Sequence, residues 1–185
     1  MIGQPYPALR IARVPGDAQA PNRNPSATAV NIMETLKRTL AQMPFLKGLA
    51  LEHLTTLAEH ARRIHFESGQ VIGREGEAAD RFYLLLEGTV AIEAFIAEEG
   101  EVGFQKVGPG EPLGWSWLFP PFRWHFTARA IENTEALEWD TEFLREHSKT
   151  DPRFGYEIAS RLTRVLLQRL QATTKTMVDF YAMKT

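Results

Sequence analysis

Four hydrogen-bonding side chains, Ser116, Arg123, His125 and Thr127, are interleaved with three tryptophans and three phenylalanines in the run GWSWLFPPFRWHFTAR, residues 114–129. Polar groups set among Trp115, Trp117, Trp124 and Phe126 fit three situations: a ligand pocket, a pocket filled by its own side chains, or plain core. No catalytic constellation accompanies them. Cysteine is absent, which removes thiolate nucleophiles, disulfides and Cys-rich metal sites. His53, His60, His65 and His147 are scattered without paired metal-ligand spacing, so His125 reads as a hydrogen-bonded structural histidine. Glu98, Glu99 and Glu101 in AEEGE read as a solvated hairpin turn. With no nucleophile–base pair, phosphate loop or catalytic carboxylate pair, neither catalytic nor metal residues are expected, and the chain reads as a non-enzyme.

The elements that must position these residues follow from pattern. The 185-residue chain is 44% hydrophobic and 24% charged, with net charge -2 and pI near 6.2. That composition suits one soluble domain and gives no support to nucleic-acid or membrane-surface binding. No apolar run reaches the roughly 18 residues that span a bilayer, and no apolar signal core precedes the domain, so no membrane is expected and the location is expected to be cytoplasmic. Residues 1–28 carry Pro5, Pro7, Pro15, Pro21 and Pro25, which discourage helix and deep strand. They are expected to form an extended arm, either disordered or packed on the domain.

Residues 29–150 are expected to form leading helices and a β-barrel. Met33, Leu36, Leu40 and Met43 recur at helical spacing until Pro44, and a second helix runs from about Ala50 to Arg62. The period then shortens, with strands expected at Ile64–Phe66, Val71–Gly73, Arg81–Glu87, Thr89–Ile96, Val102–Val107, Trp124–Ile131 and Thr134–Asp140. Short strands at this spacing imply a barrel or jelly roll. On the strand expected from Trp124, alternation puts Trp124, Phe126 and Ala128 on one face and His125, Thr127 and Arg129 on the other. Residues 151–185 form a long helix with Phe154, Ile158, Leu162, Val165, Leu166, Leu170, Thr173 and Met177 in one stripe.

The segments PFLKGLALEHLTTLAEHA, FESGQVIGREGEAADRFYLLLEGTVAI and VGPGEPLG carry a family signature, with Gly69, Gly76, Asp80, Tyr83 and Gly88 at its turn and inward positions. From Leu46 to about Thr173 the chain resembles the cyclic-nucleotide-binding domain of catabolite-activator/FNR regulators and of regulatory subunits of cyclic-AMP-dependent kinase. The resemblance implies a mainly β fold with flanking helices: a double-stranded β-helix of jelly-roll type, N-terminal helices and a long C-terminal helix. The family's phosphate-binding cassette opens on Gly-Glu, its glutamate takes the ribose hydroxyl, and an arginine nine residues later pairs with the cyclic phosphate. Aligned without gaps, Gly114 matches the glycine, Trp115 stands for the glutamate, Trp124 for the arginine, and His125 and Phe126 for the small residues behind it.

Tryptophan cannot replace a bidentate guanidinium opposite a buried phosphate. The usual cyclic AMP or cyclic GMP contacts are therefore expected to be lost, leaving either a filled pocket or one reshaped for an apolar or planar ligand of unknown identity. The cassette-equivalent residues are Gly114, Trp115, Ser116, Trp117, Arg123, Trp124, His125, Phe126 and Thr127. In the activator family the C-terminal helix crosses to a twin in a dimer, which implies a homodimer here through Ile158, Leu162, Val165, Leu166 and Leu170. No helix-turn-helix segment follows in this sequence, so direct DNA binding is not expected. The implied function is a sensory or regulatory module acting through a different ligand or a partner protein. The alternatives are a ligand-free structural scaffold, and a transcription-regulator-type sensor that binds a cyclic nucleotide in an altered pocket.

Overall fold

The structure, a computed structural model, describes residues 25–182. The arm expected for residues 1–28 therefore lies outside the described residues, apart from its last four. Those four belong to helix α1 (Pro25–Gln42). Pro25 was expected to oppose helix, but it is the first helical residue, where a missing N–H leaves no bond unmade. Helix α2 (Leu51–His60) follows and buries His53, Leu54, Leu57 and Ala58 at i, i+3 and i+4 spacing.

Eight strands come next: β1 (Arg62–Phe66), β2 (Val71–Gly73), β3 (Arg81–Glu87), β4 (Val90–Ile96), β5 (Gly100–Val107), β6 (Pro112–Leu113), β7 (Thr127–Ala130) and β8 (Thr134–Asp140). They form two antiparallel four-stranded sheets, in the orders β1-β8-β3-β6 and β2-β7-β4-β5. This is the expected mainly β jelly roll, with helices before it and a long helix after it. Val90, Leu84, Leu85, Ala128, Ala130 and Ala136 are fully enclosed between the sheets and helices. Strand β3 is buried on both faces, because Phe82 also packs against Phe45 and Trp139, 6.0 Å away in each case. Trp139 Nε1 donates to the Leu57 carbonyl at 2.8 Å and ties α2 to β8.

Three departures from the sequence pattern have physical causes. Strand β7 begins at Thr127 rather than Trp124. The Trp124 N–H donates to Glu77 O and its carbonyl accepts from Gly76 N, so the backbone at this point closes a loop instead of extending a ladder. The alternation expected for residues 124–126 accordingly fails: Trp124 is buried while Phe126 is exposed. Helix α3 (Thr141–Thr150) went unforeseen because its sequence, TEFLREHSKT, buries only Thr141 and Leu144. It is started by Asp140, whose carboxylate accepts from the N–H groups of Glu142 and Phe143. The short strand β6 is paired only to β3 and was too brief to show a period.

Helix α4 (Pro152–Ala182) runs for 31 residues. Asp151 caps it, accepting from Arg153 N at 3.0 Å and Phe154 N at 3.2 Å. Phe154, Ile158 and Leu162 anchor its first half in the core. From Gln171 to Asp179 every residue is exposed, so the second half extends beyond the core. Among the described residues no helix is long and apolar enough to cross a membrane.

Candidate functional site

The segment from Gly114 to Thr127 leaves β6 through a left-handed residue, Gly114 (φ 85°), which turns close under Arg81. A Cβ there would lie 2.9 Å from the Arg81 carbonyl oxygen. Trp115–Leu118 then make one 3-10 turn. Trp117 points into the core, 1% exposed, with Phe82 edge-on at 6.1 Å. Its indole N–H is buried without an acceptor. Trp115 is half-buried and stacks on His125 with ring centres 5.2 Å apart. His125 Nδ1 lies 2.9 Å from Ser116 Oγ, so the two ends of the segment are joined by one stack and one hydrogen bond.

Trp124 is 8% exposed. Its indole lies directly over Gly73 of β2, where any side chain would overlap the ring, and reaches Gly114 on the other side. The loop that follows β2 is strapped to the same place. Thr127 Oγ1 accepts from Glu75 N at 3.2 Å, and Arg123 donates to the Gly76 carbonyl at 2.6 Å. Arg123 is itself exposed and binds the outside of this loop. Phe126 is exposed and meets Phe104 of β5 edge-on at 4.9 Å. The nine cassette-equivalent residues are thus contiguous, but they divide. Gly114, Trp117, Trp124 and Thr127 are buried, Trp115, Ser116 and His125 form a linked cluster, and Arg123 and Phe126 face outward.

A charged trio behind this segment was missed in the sequence. Arg129 of β7 donates through Nε to both Glu93 oxygens at 3.0 and 3.1 Å, through one terminal nitrogen to the Gly69 carbonyl at 3.2 Å, and through the other to Glu101. Glu101, expected in a solvated turn, is instead a cross-strand partner. The signal was the placement of Glu93, Glu101 and Arg129 on neighbouring strands, which becomes visible only once β4, β5 and β7 are in register.

Open space lies elsewhere. A cleft of about 960 Å³ separates α4 from β5 and the β5–β6 turn. Its cations are Lys47, Lys106, Arg161, Arg164 and Arg169, against the single carboxylate of Glu111. Arg169 is half-buried and donates to the Pro112 carbonyl at 3.0 Å. Burial lowers its pKa, and nearby Glu111 opposes the shift. Arg161 donates to the carbonyls of Phe45 and Lys47 and pairs with Glu157, while its Nε is buried without an acceptor.

The residues assigned to a dimer seam also divide. Ile158 and Leu162 are 2% and 0% exposed within one chain, and Val165 packs against the same core. The first two are covered by the chain's own barrel, while Val165 is half-buried and also borders the cleft. Leu166 is half-buried and Leu170 is exposed, as are Leu167, Met177 and Val178. Among the described residues no group of three His, Cys, Asp or Glu side chains is placed to hold a metal ion.

Comparison with known proteins places this geometry in context. The family model for the cyclic nucleotide-binding domain matches residues 63–151. A CRP-like cAMP-activated global transcriptional regulator of Mycobacterium tuberculosis is 27% identical over 140 residues, which are 76% of this chain and 61% of the regulator. Among solved structures, a protein from Geobacter metallireducens described as cyclic nucleotide-binding superposes with a TM-score of 0.65 at 29% identity, covering 72% of this chain and 97% of that one. The catabolite activator protein of Thermus thermophilus superposes with a TM-score of 0.59 at 25% identity, covering 72% of this chain and 61% of that one.

Proposed function

Residues 63–151 are a cyclic-nucleotide-binding domain of the catabolite-activator/FNR type, and from that premise we propose that the chain is a non-enzymatic regulatory module that has exchanged the usual cyclic AMP and cyclic GMP contacts for an aromatic core. The observation that carries this reading is Trp124. It stands where the family places its phosphate-pairing arginine, and its indole is buried against Gly73 and Gly114. Neither neighbouring arginine substitutes for it. Arg123 is turned outward onto the Gly76 carbonyl, and Arg129 is saturated by Glu93, Glu101 and the Gly69 carbonyl. A cyclic phosphate brought here would lose its water without gaining a bidentate cation, a cost of several kcal/mol. Trp115 likewise stands at the position of the ribose-binding glutamate and stacks on His125.

The module works through a different ligand or through partner proteins, and assembles as a homodimer along the outer face of α4. The dimer is supported by the apolar side chains Leu167, Leu170 and Val178, left exposed on a helix that outruns its own core. Isothermal calorimetry of the purified chain with cyclic AMP and cyclic GMP tests the central claim. No heat of binding is expected for either. Micromolar or tighter association of either nucleotide overturns it.

A further inference from the structure

The cleft between α4 and the barrel has a lining unusual for a chain of net charge -2. Its volume, about 960 Å³, is at the upper end of what small-molecule sites enclose. Apolar surface comes from Phe45, Phe104, Pro112, Val165 and Met177. Cationic groups converge on it from three directions: Lys106 from β5, Lys47 from the α1–α2 connection, and Arg161, Arg164 and Arg169 from one side of α4. Lys47, Lys106 and Arg164 are exposed and have no carboxylate partner among the described residues.

Two further features single this cleft out from an ordinary solvated face. The Arg169 side chain is half-buried, and its one hydrogen-bond partner is the neutral Pro112 carbonyl. The carboxylate of Glu111, the only acid in the lining, is already engaged, accepting from Gly108 N at 2.7 Å. The second feature is the buried Nε of Arg161, an N–H donor without an acceptor. A buried donor without an acceptor and a half-buried guanidinium without a counterion are costly, and an arriving anion relieves that cost.

We propose that this cleft binds an amphipathic organic anion, its acidic head held by Arg164, Arg169 and Lys106 and its apolar body against Phe104, Val165 and Met177. The proposal rests on the reading that the cyclic-nucleotide contacts are lost, because that reading requires the module's ligand to bind outside the cassette segment. Sugar recognition is not provided for, since the lining offers no uncommitted carboxylate to take ribose hydroxyls. At roughly 100° per residue, Leu167, Leu170 and Val178 lie on the side of α4 opposite Arg161, Val165 and Arg169, with Arg164 and Met177 at the border between the two sides.

Fluorescence titration of the full chain with two probes that differ only in charge tests the proposal. Anilinonaphthalene sulfonate carries the acidic head, and N-phenylnaphthylamine is the same apolar body without it. The sulfonate is expected to bind with one site per chain and at least roughly tenfold tighter than the neutral probe, the worth of one charge-assisted contact. Lys106→Glu combined with Arg164→Glu should remove that preference, while Arg153→Glu, outside the cleft, should keep it. Both altered side chains lack a protein partner, and an unchanged far-UV spectrum checks that the fold is retained. Equal affinity for the two probes, or a preference that survives the double substitution, overturns the proposal and leaves the loss of nucleotide binding intact. Displacement of the sulfonate by cyclic AMP overturns instead the reading beneath it.

Discussion

The indole of Trp124 occupies the space that a side chain on Gly73 would need, so each residue fixes the identity of the other. One lies on β2 and the other on the segment before β7, 51 positions apart in the chain. Glycine at 73 is required by contact rather than by backbone angle, since its φ lies outside the left-handed region.

We predict that Gly73→Ala destabilises the fold by about 1–3 kcal/mol, the usual cost of overpacking. In a Trp124→Ala background the same change should be nearly neutral, because the ring it collides with has gone. Urea denaturation of the two single variants and the double variant closes the cycle. Additive losses would show that the ring does not occupy this space.

Trp124→Ala alone should cost roughly 3–5 kcal/mol, as expected when a buried large aromatic is truncated. Phe126→Ala, at an exposed position, should cost far less. The contrast separates a filled pocket from an open aromatic site. A loss at Trp124 well under about 1 kcal/mol would indicate that its ring does not fill the core.

The dimer prediction follows the exposed face of α4 and not its buried stripe. Light scattering should give a dimer for the natural chain and a folded monomer for Leu167→Glu with Leu170→Glu. Glu at Leu162, by contrast, should unfold the chain, because Leu162 is fully enclosed by its own barrel. A natural chain that runs as a monomer would end the idea.

Asp151 gives a prediction in pH. Its carboxylate accepts from Phe154 N and Arg153 N and faces His53, and these contacts, the Phe154 N–H foremost, hold its pKa below the ordinary 3.8. A depressed acid stabilises the fold fully above its unfolded value and loses that contribution as pH falls through the lower folded value. Asp151→Asn should therefore flatten the acid limb of the stability curve below pH 3.8. An unchanged acid limb would mean that the cap contributes nothing.

The barrel was legible because its strands alternate and its corners are marked by glycine. The last helix was legible because its stripe is long. What stayed hidden depended on distance in the chain. Phe126 and Trp124 share a parity but not an environment, since two hydrogen bonds to the loop at Gly76 and Glu77 hold Trp124 out of the strand. Glu101 resembles its neighbours Glu98 and Glu99 until β4, β5 and β7 bring it to Arg129. The leucines of the last helix look alike in sequence, and only the barrel decides that Leu162 is covered while Leu170 is not.

Helix α4 carries Arg161 and Arg169 on one side and exposed leucines on the other. If one rigid rod meets both an occupant and a twin subunit, the two proposed events share one thermodynamic cycle. If an occupant of the cleft shifts α4 so that pairing tightens by some factor, pairing must tighten the occupant by the same factor. An occupant that contacts both states of the rod equally would change nothing, however firmly it was held. The sensitivity of such a device is set by the difference in contacts that Arg164 and Arg169 make in the two positions of the rod, and not by how strongly they bind in either.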